Sequence, residues 1–244
     1  PIYTKATASN LAVDNQAQID FRTGLLTHKV LVGFDYQNSR SSNDSRLANP
    51  FTAPLNYFPI DVFNPVYGTF VVPPASALFP YINMNTKMEQ AGLYAQDQIK
   101  FDRWVALLGV RHDWADSRTQ TLAGVVTPSS DQATSKRAAL LYKFDNGVSP
   151  YIQYTESFQP IVGTAQRTAS PFKPTTGQQE EIGIKYQPNS KTLLTAAIYN
   201  LTQQNIKMQD PNDPQNQIQI GEIRSRGVSL VLSPVVDIAR DPRW

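Results

Sequence analysis

Apolar and polar positions alternate with a period of two through segment after segment of this chain. From Leu11 to Arg22 one parity reads Leu11, Val13, Asn15, Ala17, Ile19, Phe21, and the other reads Ala12, Asp14, Gln16, Gln18, Asp20, Arg22. Successive side chains of a strand point to opposite faces, so this segment has one apolar wall and one polar wall. Val30, Val32, Phe34 and Tyr36 repeat the pattern, then Ala91, Leu93, Ala95, Ile99 and Phe101, then Trp104, Ala106, Leu108, Val110 and Trp114. Ala138, Leu140, Tyr142, Phe144 and later Ile182, Ile184, Tyr186 follow it, whereas 148–159 and 192–206 alternate less cleanly. The pattern predicts about nine strands.

Connection lengths sharpen the fold class. Short turns are expected near 24–27, 102–103, 145–147 and 187–191, and long connections at 41–86, 116–134, 160–176 and 207–216. Strict alternation of short and long connections is the pattern of a membrane barrel, with tight periplasmic turns and long extracellular loops. The DNG at 145–147 is itself a hairpin signal, because Asn and Gly tolerate positive φ. Trp104 and Trp114 share a face, and the ten-residue step at about 3.3 Å per residue, tilted by about 40°, projects to roughly 25 Å, the height of a barrel's apolar band. The expected architecture is all-β: an antiparallel up-and-down transmembrane β-barrel segment. With long loops outside, the first strand starts in an outer loop and the ninth ends at a periplasmic turn near Ser233 and Pro234, as in a slice of a larger barrel.

Composition removes several alternatives. Apolar residues make up 41%, aromatics 10% and charged residues only 17%, which suits strands with one apolar and one uncharged polar face and not a disordered chain. A net charge of +2 without a basic stripe gives no support to nucleic-acid binding. The chain has no Cys, which excludes thiol catalysis and thiolate metal sites, and with His28 and His112 alone a histidine-rich metal centre is not expected. No apolar run reaches the length of about 20 residues that a membrane helix needs, and PIYTKATASN lacks the core of a signal peptide.

Nothing resembles an active site, and the chain is not expected to be an enzyme. Glu180 and Glu181 are adjacent and so face opposite ways. His112 is expected near the outer aromatic girdle and not as a metal ligand. Asp97 interrupts an apolar face, at a polar contact or near an interface. Glu222, Arg224 and Arg226 share the parity of Val228, Leu230 and Leu232; either the strand extends beyond the membrane or Gly227 marks a bulge.

Five stretches resemble the barrel of the TonB-dependent siderophore receptors, the hydroxamate (ferrichrome) type above all: GLYAQDQIKFDRWVALLGVRHDWADS (92–117), YKFDNGVSPYIQYTESFQP (142–160), FKPTTGQQEEIGIKYQP (172–188), AAIYNLTQQNIKMQDP (196–211) and GEIRSRGVSLVLSP (221–234). The resemblance runs from about Asp14 to Pro234 and is weakest over 41–86. It implies a 22-stranded barrel in the bacterial outer membrane that binds ferric siderophores and imports them with TonB-transmitted energy. Its implied partners are the ferric siderophore, outer-membrane lipid, and the TonB complex acting through a plug region that these residues do not contain. No cofactor or metal site is implied, since the chelator holds the iron. Residues 1–234 are expected to be partial barrel and 235–244 (VVDIARDPRW) an atypical, truncated end; the isolated segment is not expected to transport. A passive porin and a soluble β-rich binding protein are the alternatives. Ligand-binding candidates are Tyr57, Phe58, Phe63, Tyr67 and Phe70 in the proline-rich 41–86 connection, whose rings suit packing on a chelate's carbon skeleton or, equally, packing of the loop on itself.

Overall fold

The computed structural model describes residues 2–47, 61, 63–66, 74–121, 123–163 and 170–234. They form one nine-stranded sheet in sequential order, every neighbouring pair antiparallel. The strands are β1 (Ile2–Thr23), β2 (Leu26–Leu47), β3 (Phe79–Phe101), β4 (Trp104–Gln120), β5 (Val126–Tyr142), β6 (Val148–Gln159), β7 (Thr175–Asn189), β8 (Thr192–Asp210) and β9 (Asp213–Pro234). The two segments whose alternation is weakest in the sequence are β6 and β8.

The sheet is a single layer. Its buried apolar side chains are Leu78, Ala115, Tyr151, Phe172 and Ala197 among the described residues, far too few to hold a soluble domain together by hydrophobic burial. The apolar mass instead lies open on one face, with Val228 79% and Leu230 77% exposed. Aromatic rings border this face. Trp104, Tyr142 and Phe144 meet edge to face along the turn side, at 4.7 and 4.8 Å between centroids, and Tyr36 and Trp114 mark the far side. A lipid-facing wall between two girdles accounts for this exposure.

Register gives the inclination of the strands. The uppermost apolar positions run from Tyr36, Ala91 and Trp114 through Ala138 and Tyr154 to Ile182, Ile198 and Val228. They descend roughly eight residues over about seven strand steps. With strands about 4.8 Å apart and residues about 3.3 Å apart, a horizontal membrane edge then requires a tilt of roughly 38°, inside the range of closed barrels.

The turns at one end are tight, as expected. Asp102 and Arg103 alone join β3 to β4, with Asp102 at φ 49. In the DNG turn Gly147 takes φ 84, and a Cβ there would lie 2.4 Å from the Gln187 carbonyl oxygen, so only glycine fits. Arg103 ties this turn to its neighbour through Asp145 at 2.6 Å. At the other end the structure departs from expectation. Much of 116–134 and 207–216 is strand, leaving connections of 121–125 and 211–212. Those stretches are rich in Ser, Thr, Gln and Asp with little apolar contrast, yet ladder hydrogen bonds carry the strands onward regardless of side-chain polarity. The connections 48–78 and 160–174 remain long.

One seam is incomplete. β5 pairs with β4 over its whole length but with β6 only from Arg137 to Leu141. Beyond that the strands part, and the Glu156 carboxylate takes over the ladder by accepting the Lys136 N–H at 3.0 Å. Pro128, of the same parity as Lys136, turns its missing N–H toward this open side, the placement that proline tolerates in a sheet.

Candidate functional site

The face opposite the lipid wall is the lumen of the barrel, and its chemistry changes with height. At membrane depth it is charged and cross-linked. Arg111 on β4 donates to both oxygens of Asp35 on β2 and to Asp113 on its own strand. Tyr94 on β3 donates to Asp14 on β1 at 2.9 Å, and its ring lies 5.7 Å from the Arg111 guanidinium. Further round, Tyr151 donates to Glu181 at 2.6 Å and Gln179 to the other oxygen of the same carboxylate at 3.0 Å. Glu180 faces outward toward Asn200, so the acidic pair is split between two faces as parity requires.

Glycines make room for these rings. Gly33, Gly183 and Gly227 sit directly opposite Tyr94, Tyr151 and Tyr199, and a Cβ on any of them would fall within 2.7 Å of the tyrosine side chain that covers it. β9 therefore runs through Gly227 without a bulge. Of the two alternatives for Glu222, Arg224 and Arg226, extension of the strand beyond the apolar band is the one observed.

Above Asp14, Asp35 and Asp113 the charges of β1–β4 leave the lumen, while Asp131 on β5 and Lys207 on β8 keep inward parity. Every charged residue of β1–β4 beyond these positions (Lys5, Arg40, Asp44, Arg46, Lys87, Glu89, Asp116, Arg118) has outward parity. The inward positions of the same stretches carry hydroxyl, amide and thioether groups, among them Asn10, Ser39, Ser41, Asn43, Thr86, Met88 and Ser117. Ser39 donates to Asn10 at 2.8 Å and Gln37 to the same oxygen at 3.1 Å, which holds the Asn10 side chain in place.

A cavity of about 290 Å³ opens on this wall, lined by Asn10, Ser39, Ser41, Thr86 and Met88, by the outward-parity Arg40 as its one charged residue, and by Val162 from the β6–β7 connection. The far end of that connection is fastened across the lumen side of β8 and β9. Lys173 and Gln219 exchange two hydrogen bonds, of 2.8 and 2.6 Å. Asn205, at φ 57, bonds Pro174 and accepts from Thr175. Phe172 is 3% exposed, with the Lys207 ammonium 5.0 Å from its ring centre. Burial pushes the Lys207 pKa below the ordinary lysine value.

Of the ligand candidates in the sequence, Tyr57, Phe58, Tyr67 and Phe70 lie outside the described residues. Phe63 is described and 98% exposed; its N–H donates to Asp61 at 2.8 Å. It does not line the cavity. The cavity residues Asn10, Ser39, Ser41, Thr86, Met88 and Val162 escape sequence reasoning, because they sit in stretches without apolar alternation. The one signal available is parity carried upward from Gly33, Asp35 and Gln37. His112 faces outward beside Trp114, 4.4 Å between ring centres, and bonds Thr134 at 2.7 Å. Among the described residues no cluster of three or more His, Asp or Glu is placed to hold a metal ion.

Comparison with known proteins agrees with this architecture. Residues 2–240 match the family described as TonB dependent receptor-like, beta-barrel. The chain is 36% identical over 226 residues to the ferrichrome outer membrane transporter/phage receptor of Escherichia coli (strain K12), covering 91% of this chain and 29% of that protein. It is 39% identical over 225 residues to the ferrioxamine B receptor of Salmonella typhimurium (strain LT2), covering 91% of this chain and 30% of that protein. Among solved structures, the unliganded ferric citrate transporter FecA superposes with a TM-score of 0.72 at 16% identity over 94% of this chain and 32% of that one. The siderophore receptor PiuA of Acinetobacter baumannii gives 0.70 at 21% identity, over 95% and 37%. The chain thus spans about a third of the length of the proteins it matches. It belongs to the TonB-dependent receptor β-barrel family and forms part of the wall of an outer-membrane barrel.

Proposed function

We propose that the protein containing this chain is an outer-membrane receptor that imports ferric siderophores with TonB-transmitted energy, and that its ligand is a hydroxamate-type chelate whose iron centre carries no net charge. The observation that carries the ligand class is the removal of charge from the upper lumen of β1–β4. Hydroxyl and amide groups bond the carbonyl oxygens and amides of such a chelate. The inward side chains of β1–β4 themselves offer no counter-ions for a polyanionic one, whose desolvation they would leave uncompensated. The likeness to ferrichrome and ferrioxamine B receptors supports the same reading.

In this reading iron is cargo held by the chelator, and no resident cofactor takes part. The relatives are receptors and transporters, and the chain's role is binding and passage without enzymatic turnover. Partners are the siderophore, membrane lipid, and TonB through a plug that the longer protein supplies. Family membership favours this over a passive porin. The test uses the full-length receptor: ferrichrome or ferrioxamine B should bind far more tightly than ferric citrate, and uptake should cease in cells lacking TonB. Preference for ferric citrate would overturn the ligand class, and TonB-independent uptake would overturn the transport mode.

A further inference from the structure

We propose that Val162 is a specificity-determining residue of the receptor, setting the clearance under which a chelate enters the upper lumen, with Phe172 as the seat that fixes its height. The proposal rests on the siderophore reading above and names a part of the wall that the aromatic-rich 41–86 connection does not supply.

The placement carries it. The β6–β7 connection leaves the wall at Gln159, yet Val162 roofs a cavity whose floor is β1, β2 and β3. Val162, just beyond the end of β6, therefore shares a cavity with strands that are not neighbours of β6 in the sheet. The same cavity is lined by the hydroxyls of Ser39, Ser41 and Thr86, the Asn10 amide and the Met88 thioether, with Arg40 as its one charged residue. Val162 brings the facing apolar surface. A chelate with a carbon skeleton and outward carbonyl oxygens finds one wall for each. A cavity of about 290 Å³ is near the lower limit for a small-molecule site of roughly 300–1,000 Å³, so a change of a few methylenes in the roof is large relative to the space.

The roof is held in position. Phe172 is packed to 3% exposure, its N–H donates to the Gly163 carbonyl at 3.1 Å, and its ring lies 3.7 Å from where a Gly163 Cβ would stand. Gly163 adjoins Val162 directly. The bonds of Lys173 to Gln219 and of Asn205 to Pro174 then lock Phe172 to the β8–β9 hairpin. Val162 is thereby referred to a fixed point on the wall, as a selective roof has to be.

The experiment measures dissociation constants of ferrichrome and ferrioxamine B on the purified full-length receptor, native and with Val162→Ala, Val162→Trp, Phe172→Ala or Phe172→Leu. Each variant is first shown to migrate as a folded barrel without heating. Val162→Trp should weaken the better-bound chelate by about tenfold or more, and Val162→Ala should shift the ratio of the two constants by about threefold or more, the scale of a few methylenes in a pocket. Folded Phe172 variants should shift the ratio in the direction of Val162→Ala. A ratio within about twofold of native in both folded Val162 variants overturns the proposal while leaving the uptake reading intact. A shift at Val162 with none at Phe172 overturns the seat. A native receptor that binds neither chelate overturns the proposal together with the ligand class.

Discussion

His28 and Asp97 meet on the lipid side of the wall, Nδ1 to Oδ2 at 2.7 Å, with side chains 13% and 26% exposed. His28 also stacks flat on Phe21, 4.7 Å between ring centres. The Asp97 that breaks an apolar face in the sequence is thus clasped by a neighbouring strand, although its other oxygen is buried without a hydrogen-bond partner. A carboxylate in this position is tolerated because it has a partner, and removing the partner leaves it facing hydrocarbon. His28→Ala should destabilise the full barrel by about 1–3 kcal/mol. The double variant His28→Leu with Asp97→Leu should restore native stability or exceed it. Urea unfolding in lipid vesicles checks both, and a double variant weaker than His28→Ala would refute the pairing argument.

The ring-over-glycine pairs predict a contrast between two glycines of the same face. Tyr151 is fixed by Glu181 and cannot swing aside, so Gly183→Ala, whose Cβ would stand 2.7 Å from the ring, should cost about 1–3 kcal/mol. Gly109→Ala meets nothing closer than 3.7 Å and should stay within about 0.5 kcal/mol of native. The same unfolding measurement on both variants checks the ordering.

Pro128 and Lys136 guard the open edge of β5, by withholding an N–H and by adding charge. Pro128→Val combined with Lys136→Val should raise the associated fraction of the detergent-solubilised receptor while leaving the monomer's fold unchanged. Light scattering during size exclusion reads the effect. An unchanged monomer peak would mean that this edge needs no guarding.

Burial lowers the Lys207 pKa, so the unfolded or detached state of this corner holds its proton more readily than the native one. The fastening of Phe172–Thr175 should therefore strengthen as pH rises through the interval between the lowered value and the ordinary lysine value of 10.5, and weaken as pH falls through it. Lys207→Met should remove this dependence. Amide exchange of residues 172–175, corrected for intrinsic rate, reports it; a native pH profile matching that of the variant would count against it.

The fold was legible wherever one face of a strand had to meet lipid. Val30 to Tyr36 and Trp104 to Trp114 announce their parity because every second residue is apolar. Ser39 to Ser45 announce nothing: hydroxyl, amide and charge alternate with little contrast in hydropathy. Their strand is continued by the ladder and by pairing with β1 and β3. The cavity inherits that silence. Its floor lies in such stretches, and its roof comes from a part of the chain close only after folding. The aromatic candidates of the 41–86 connection rest on residue type alone, and four of the five lie outside the described residues. Glu180 and Glu181, by contrast, were assigned to opposite faces from adjacency alone, and the structure places them so.

Because β5 loses β6 beyond Arg137, the upper part of the β4–β5 hairpin is held from one side only. Shortening the hairpin by one residue on each arm removes rungs between β4 and β5 and the β3 rung at Gln120, and disturbs none toward β6. Lengthening it adds rungs at the same place. In a wall where most strands are clamped by both neighbours, this hairpin is the natural seam for variation in length. It is the place to graft a foreign peptide onto the cell surface with the least strain on the barrel beneath.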